Sequence, residues 1–205
     1  MKSIIQLFSY SVIVLLLASC TKRGTIVEGT MPSDIYDNEI VYWVPFEGAS
    51  SKTVDSTRIK GDKFRMVISD HNFNKIGIIR VRPVLRLGLQ DIVVFAEAGR
   101  TVQVKLDSIS SASGTPQNDA LQLWKNRKHK HDKDLSPLRR SRRAADETEK
   151  ERINEEMEKI TAVYYDDVYQ IILKNKDNEV GKFIYSRHNK SSFTPEQISI
   201  IESNY

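Results

Sequence analysis

Between residues 24 and 107 of this 205-residue chain, apolar and polar side chains alternate, and this alternation constrains the fold more than any other feature. The clearest runs are residues 64–68 and 101–106, in which every second side chain is apolar. Because successive side chains of a β-strand point to opposite faces, each run predicts a strand with one buried face. The runs recur at intervals of roughly ten residues, which predicts about seven short strands in an antiparallel β-sandwich over residues 24–108.

Turn-forming residues separate these runs. Gly61-Asp62 and the Glu-Ala-Gly-Arg sequence at residues 97–100 each lie between two predicted strands, where a tight turn joins neighbouring strands into a hairpin. Residues 40–46 are apolar at both odd and even positions, the pattern of a strand inside a sandwich rather than at its edge. The serine-rich residues 108–114 predict a linker that ends the β domain.

Helical spacing begins after this linker. Thr115 followed by Pro116 is typical of an N-cap and a first helical residue. Pro137 predicts the end of that helix, since proline cannot donate the internal hydrogen bond, and the next helix is expected to begin near Ser141. Residues 115–205 are therefore predicted to form a helical region. Together with the β domain, this region places the whole protein in the α+β class.

A single apolar stripe marks one long helix over residues 144–174. Its members step by three and four residues, as one face of a helix does, and they are Ile153, Met157, Ile160, Tyr164, Val168 and Ile171. Residues 177–188 predict a shorter helix. Thr194 with Gln197 three residues later forms a capping box, which predicts a last helix whose apolar face carries Ile198 and Ile201.

The first 19 residues have the features of a secretory signal peptide: Lys2, an apolar stretch from residue 4 to residue 18, and small residues before a cleavage point. The motif Leu17-Ala18-Ser19-Cys20 resembles the bacterial lipobox, in which cleavage precedes a lipid-modified cysteine. Cys20 is thus the predicted lipidation site, and residues 20–23 the lipidated cysteine and its tether. The alternatives are cleavage at an ordinary signal site or a retained helix, although the apolar stretch is shorter than the roughly 20 residues of a spanning helix.

Cys20 is the only cysteine, so disulfides, thiolate metal sites and cysteine nucleophiles are excluded once it is lipidated. The formal net charge of +4 is mild, and export argues against a nucleic-acid partner. We therefore expect an exported protein anchored to the inner or outer membrane of the cell envelope. The membrane, bound through the lipid anchor, is the first expected partner, and a protein of the envelope is a candidate for the second. The sequence does not indicate the oligomeric state.

Nine lysines or arginines lie between residues 125 and 143. This basic run is a candidate partner surface for anionic headgroups or an acidic protein. Its proposed members are Lys125, Arg127, Lys128, Lys130, Lys133, Arg139 and Arg140. The favoured alternative is that the run pairs with the seven carboxylates of residues 146–158 across a helical hairpin.

No group of residues predicts catalysis, a metal or a cofactor. His129 and His131 lie two residues apart, a spacing that puts them on different helix faces, and the surrounding cations repel a metal ion. Asp166 and Asp167 point to different faces for the same reason. Trp43 and Trp124 are interpreted as core anchors between the sandwich and the helices, although a groove lined by Tyr42 and Trp43 is kept as a candidate glycan or small-molecule site.

Three features in order resemble an N-terminal domain of unknown function found in Gram-negative envelope lipoproteins. They are the strand at Val54-Asp55-Ser56 followed by Gly61-Asp62-Lys63-Phe64, the turn at residues 97–100, and Gly114-Thr115-Pro116-Gln117-Asn118. In that family a small β-sandwich precedes helices and usually a thioredoxin-like domain with a Cys-x-x-Cys motif. This chain has Ala98 where the family often has proline, and no cysteine after Cys20, so the resemblance does not imply redox activity.

These observations predict a non-enzymatic, membrane-anchored lipoprotein that acts as an interaction module or scaffold. One alternative is an accessory module of a thiol–disulfide system whose redox domain is missing or on a separate chain. A second is a binder of small molecules or glycans.

Overall fold

A computed structural model describes residues 24–72, 75–82 and 88–205. The predicted signal peptide, Cys20 and the tether lie outside the described residues. The fold is α+β. The strands are β1 Thr25–Thr30, β2 Ile40–Pro45, β3 Asp55–Arg58, β4 Lys63–Ile68, β5 Ile76–Arg80, β6 Ile92–Phe95, β7 Thr101–Lys105 and β8 Ser111–Ser113. The α-helices are α1 Pro116–Arg142, α2 Glu147–Lys174, α3 Glu179–Ser186 and α4 Pro195–Glu202.

The strands form two four-stranded sheets, with the orders β4-β1-β7-β8 and β3-β2-β5-β6. Neighbours are antiparallel except β1 and β7, which pair in parallel from Ile26 opposite Thr101 to Thr30 opposite Lys105. The expectation of a wholly antiparallel arrangement is therefore wrong at this pair. Parallel neighbours need a long connection, and the chain between β1 and β7 supplies one because it passes through the second sheet.

Both predicted hairpin turns are present as turns, but neither joins strands of one sheet. Gly61 has φ of +64° and Gly99 has φ of +69°, the left-handed conformation that glycine adopts without strain. Lys60 and Lys63 form an isolated antiparallel bridge around Gly61-Asp62, after which β3 and β4 enter different sheets. The turn at residues 97–100 likewise leads from β6 in the second sheet to β7 in the first.

The predicted linker at residues 108–114 is also wrong in part, because Ser111–Ser113 form β8. Ala112 pairs with Val104 of β7 and is buried. Its N–H donates to the side-chain oxygen of Gln122 on α1, at 3.1 Å. A short serine-rich strand is thus held by a helix that covers the edge of its sheet.

One hydrophobic core takes side chains from both sheets, including Val27, Phe64 and Val102 from the first and Trp43 and Ile79 from the second. Trp43 is fully buried and anchors a core, but this core lies between the two sheets and not, as was expected, between the sheets and the helices. Trp43 cannot line an open groove, so the candidate site at Tyr42 and Trp43 loses its aromatic platform.

A second core joins the helices to the second sheet. Phe95 of β6 packs there with Leu121 of α1, Val168 and Ile172 of α2, and Ile184 of α3. The apolar stripe of α2 faces this core through Tyr164, Val168 and Ile171, as its spacing predicts. The capping box at Thr194 and Gln197 is formed at the start of α4.

The expected helix break at Pro137 is wrong, since α1 continues through it to Arg142. Proline removes the hydrogen bond to the carbonyl of Lys133. Both Pro137 and Lys133 lie on the exposed side of the helix, where water can donate a hydrogen bond to the free carbonyl of Lys133. The next helix begins at Glu147 instead of near Ser141, with the side chain of Asp146 accepting the N–H of Glu149 at 2.9 Å.

Candidate interaction surface

The far ends of α1 and α2 form a helical arm, defined here as residues 132–156. The buried side chains of this arm are Leu135 and Ile153, and neither belongs to the two hydrophobic cores. With 27 residues in α1 and 28 in α2, each helix is about 40 Å long at about 1.5 Å per residue. The arm is thus attached to the body through the near ends of the same helices and has little buried surface of its own.

Lys125, the first residue of the predicted basic surface, does not belong to an open surface. Its ammonium donates to the backbone carbonyl of Ser110 at 2.8 Å. Burial lowers the pKa of the Lys125 ammonium, because leaving water disfavours the charged form. Lys125 therefore fixes α1 against the segment before β8. This role was not predictable from the sequence, because Ser110 lies 15 residues before Lys125, outside α1, and no local pattern brings the two together.

Three further members of the predicted surface pair with nearby carboxylates. Lys128 contacts Asp132 at 2.5 Å, Lys130 contacts Asp134 at 2.5 Å, and Arg127 contacts Asp167 of α2 at 3.4 Å. The first two pairs have the spacing of four residues that brings side chains together on a helix. Exposed pairs of this kind contribute little to stability, about 0–1 kcal/mol each, but they reduce the positive charge available to a partner.

The remaining members, Lys133, Arg139 and Arg140, lie on the arm and are exposed. Arg140 donates to the side-chain oxygen of Ser136 at 2.9 Å. Within the described part of the chain, Lys133 and Arg139 form no ion pair. The structure therefore divides the predicted surface into a paired set near the body and an unpaired basic set on the arm.

The acidic run at residues 146–158 does not neutralise the basic run across the hairpin. Its ion pairs lie within α2, where Glu147 contacts Lys150 at 2.7 Å and Arg152 contacts Glu149 at 2.7 Å and Glu156 at 3.4 Å. Between residues 125–143 and 146–158, as described, no ion pair is formed. The basic charge left on α1 and the acidic charge left on α2 thus stay available on the two sides of the arm.

An aromatic cluster at the base of the arm joins α1, α2 and α3. His131 stacks on Tyr164 with ring centroids 4.4 Å apart and an interplanar angle of 19°. Trp124 donates its indole N–H to Nε2 of His188 at 3.0 Å. Trp124 is half-buried in this cluster, which confirms it as an anchor between the sheets and the helices.

Burial lowers the pKa of both imidazoles and raises the pKa of Tyr164 to about 12. His188 accepts the Trp124 hydrogen bond at Nε2, so it is neutral, with its proton on Nδ1. Sequence reasoning missed His188, because no spacing or neighbouring residue distinguishes it from a solvent-exposed histidine.

We expect the Trp124–His188 contact to make stability depend on pH. A histidine whose pKa is lower in the folded state than its ordinary 6.5 stabilises the fold above 6.5, and this contribution is lost as the pH falls below that value. His188→Gln is the matched variant, because glutamine can accept the indole N–H but does not titrate. Urea unfolding from about pH 7.5 to about 5.5 should show a steeper loss in the native protein than in His188→Gln. Parallel stability curves would contradict the assignment.

The two members of each pair, His129 with His131 and Asp166 with Asp167, lie on different sides of their helix, as their spacing predicts. His131 is half-buried against Tyr164, whereas His129 is exposed. Asp167 pairs with Arg127 while Asp166 lies on the other side of α2, beside Phe193 and Thr194. Across residues 24–72, 75–82 and 88–205, no cluster of three or more metal-ligand side chains is found.

Comparisons of the chain with family models, with curated proteins and with solved structures find no match. No helix in the described part of the chain has the length and apolar content needed to cross a membrane.

Proposed function

We propose that this protein is an exported envelope lipoprotein, anchored through Cys20, that presents its helical arm to a partner and performs no catalysis itself. Its N-terminal part is proposed to be a β-sandwich, which is supported by the two four-stranded sheets and the core they share. The resemblance to the N-terminal domain of envelope lipoproteins agrees with this arrangement and stays a prediction. The alternative of an accessory role in a thiol–disulfide system also stays a prediction.

The helical arm is the observation that carries the proposal. Its charged side chains include Lys133 and Arg139 on α1, and Glu151 and Glu155 on α2, all exposed and without an ion pair among the described residues. A projecting pair of helices with little buried surface adds little to the stability of the body. Unpaired charges of both signs favour selection of a partner by electrostatic complementarity.

The predicted anchor would hold the start of the β domain close to the membrane. Thr25, the first residue of β1, follows Cys20 by five residues. An extended chain covers at most about 3.5 Å per residue, so the start of β1 would lie within about 18 Å of the lipidated sulfur. The position of the arm would then be set by the body rather than by a long flexible linker.

A crosslinking experiment in cells tests the anchor and the arm together. A photoreactive residue replaces Arg139 on the arm, and a matched control replaces Lys52, an exposed residue in the loop between β2 and β3. We expect a discrete crosslinked product in the membrane fraction with the label at position 139 and none with the label at position 52. Equal products from both positions, or none from either, would contradict the arm as the interaction surface.

In a second experiment, cells of the same strain express Cys20→Ala in place of the native protein. We expect the native protein to remain with membranes and to gain the mass of the attached lipid, whereas Cys20→Ala should appear in the soluble fraction without it. An unmodified native protein in the soluble fraction would contradict the anchor while leaving the arm to be judged by its crosslinks.

A further inference from the structure

A cleft of about 340 Å³ lies where the second sheet meets the helices, and we call it the junction cleft. Phe46, which follows β2, and Val93 of β6 form its sheet side. Trp124 of α1 and Phe183 of α3 form its helical side. This volume is at the lower end of the range of small-molecule sites, about 300–1,000 Å³, and a seam between two packed units is a common place for such a site.

Three aromatic rings make the wall of the junction cleft apolar. Phe183 is the central ring, with its centroid 6.1 Å from Phe46 and 6.5 Å from Trp124. Trp124 meets Phe183 edge to face at 89°. Phe46 keeps 39% of its surface exposed, so the wall is open on one side. An apolar, flat group of a ligand would bury this surface.

Two cations face the same cleft, and neither forms an ion pair with a carboxylate of the described residues. The guanidinium of Arg187 lies over the ring of Phe183 at 4.6 Å and over Phe46 at 5.9 Å. To the described residues it donates no hydrogen bond and forms no ion pair. Its position is therefore fixed by the rings, while its N–H groups remain free to bind an acceptor.

Lys125 is the second cation, and it is half-buried at the edge of the cleft. One of its N–H groups is used on the carbonyl of Ser110. The other two have no acceptor in the described part of the chain. Burial lowers the pKa of the Lys125 ammonium, and no carboxylate of the described residues forms an ion pair with it. An anion in the cleft would supply that compensation.

Among the described residues that line the cleft, Asp91 is the one carboxylate, and it already has a partner. Two cations against one engaged carboxylate leave the lining positive. The cleft thus combines an aromatic wall with an excess of hydrogen-bond donors on Lys125 and Arg187. A neutral apolar ligand would use only the wall, and an inorganic anion would use only the donors.

We propose that the junction cleft binds a small aromatic monocarboxylate. The carboxylate accepts hydrogen bonds from Arg187 and Lys125, and the ring packs against the exposed part of Phe46 and against Trp124. A cleft of about 340 Å³ limits the ligand to one or two fused rings with a short acidic side chain. This site is separate from the helical arm, so it does not depend on the proposed interaction role.

Titration of the detergent-solubilised full-length protein with 3-phenylpropionate tests the proposal. Trp124 lines the cleft whereas Trp43 is fully buried in the other core, so a saturable change in tryptophan fluorescence reports on this site. We expect the acid to bind at least about tenfold more tightly than its uncharged analogue 3-phenylpropanamide. Benzoate and indole-3-acetate extend the test to a smaller and a larger ring, and binding of indole-3-acetate is followed by calorimetry because its own indole fluoresces.

Arg187→Gln should weaken binding of the acid about tenfold and leave binding of the amide unchanged. Arg139→Gln, on the arm, is the matched control and should bind the acid as the native protein does. Equal thermal midpoints of the three proteins show that any loss is not unfolding. The proposal is overturned if none of the three acids gives a saturable response, if acid and amide bind equally, or if Arg187→Gln binds the acid unchanged.

Discussion

An Asn118→Ala variant is expected to lose about 3 kcal/mol of its free energy of unfolding, more than any substitution on the surface of α1. Asn118 is fully buried at the N-terminal turn of α1. Its side-chain oxygen accepts the backbone N–H of Phe95 at 3.0 Å, and its amide nitrogen donates to the backbone carbonyl of the same residue at 3.0 Å. One side chain thus satisfies both backbone groups of Phe95.

These two hydrogen bonds take the place of those that a further strand would make at the edge of the sheet. β6 is the last strand of the second sheet, and Phe95 pairs with Ile76 of β5 on its other side. Its outward N–H and carbonyl are covered by α1 and cannot reach solvent. Alanine at position 118 would leave both groups buried without a partner, at about 1–3 kcal/mol each.

Urea unfolding of Asn118→Ala and the native protein measures this loss as a lower transition midpoint. Asn126→Ala is the matched control, because Asn126 is exposed on the same helix and its side chain, within the described part of the chain, accepts a single hydrogen bond, from Gln122 at 2.8 Å. Its free energy of unfolding should stay within about 0.5 kcal/mol of the native value. A loss of similar size in both variants would show that the amide of Asn118 does not satisfy the strand edge as described.

The features that the sequence predicted well are local ones. The capping box at Thr194 depends on residues within one helical turn, whereas Thr115 has the N-cap position of α1 but makes no capping hydrogen bond with its side chain. The stripe from Ile153 to Ile171 depends on a period that a helix imposes wherever it lies. In the strands, alternation correctly indicated the buried faces, because Phe64, Met66 and Ile68 all lie in the first core.

The same local patterns did not predict which strands pair with one another. The turns at Gly61 and Gly99 have the residues of a hairpin, yet the strands on either side of each enter different sheets. A tight turn fixes the reversal of the chain over a few residues, while long-range packing decides whether the next strand pairs or crosses to the other layer. The β8 strand was missed for the same reason, since its pairing with β7 and support from Gln122 come from other elements.

The candidate surface shows the same division between local and long-range information. Pairs such as Lys128 with Asp132 follow from a spacing of four residues on one helix. The burial of Lys125 and the hydrogen bond between Trp124 and His188 depend on how α1 meets β8 and α3, which no local pattern encodes. The junction cleft was unforeseen because Phe46, Lys125 and Arg187 are far apart in sequence.

Gly77→Ala is expected to destabilise the first core by about 3 kcal/mol, although it adds a single methyl group. Gly77 lies in β5, two residues before Ile79, and Ile79 is the residue of β5 that pairs with Trp43. The indole of Trp43 therefore lies diagonally across the position of residue 77. A Cβ at this position would come within 2.4 Å of ring atom Cε2 and 2.5 Å of Cζ2 of Trp43.

Neither side of this contact can move easily. Trp43 is fully buried among side chains from both sheets, and Gly77 is held by backbone pairing to Pro45 on one side and Val94 on the other. Relief of the overlap requires a shift of a strand or a displaced indole, and tightly packed interiors resist both. The thermal midpoint should fall by about 6–12 °C in a domain of this size.

Gly88→Ala is the matched control for this variant. Among the described residues, the nearest atom to a Cβ at position 88 is the hydroxyl of Tyr36 at 3.6 Å, an ordinary contact. Its stability should change by no more than about 0.5 kcal/mol. A third measurement locates the cause: in a Trp43→Leu background, which removes the ring, Gly77→Ala should cost less than it does in the native protein. An equal cost in both backgrounds would mean that the backbone at Gly77, and not the indole above it, requires glycine.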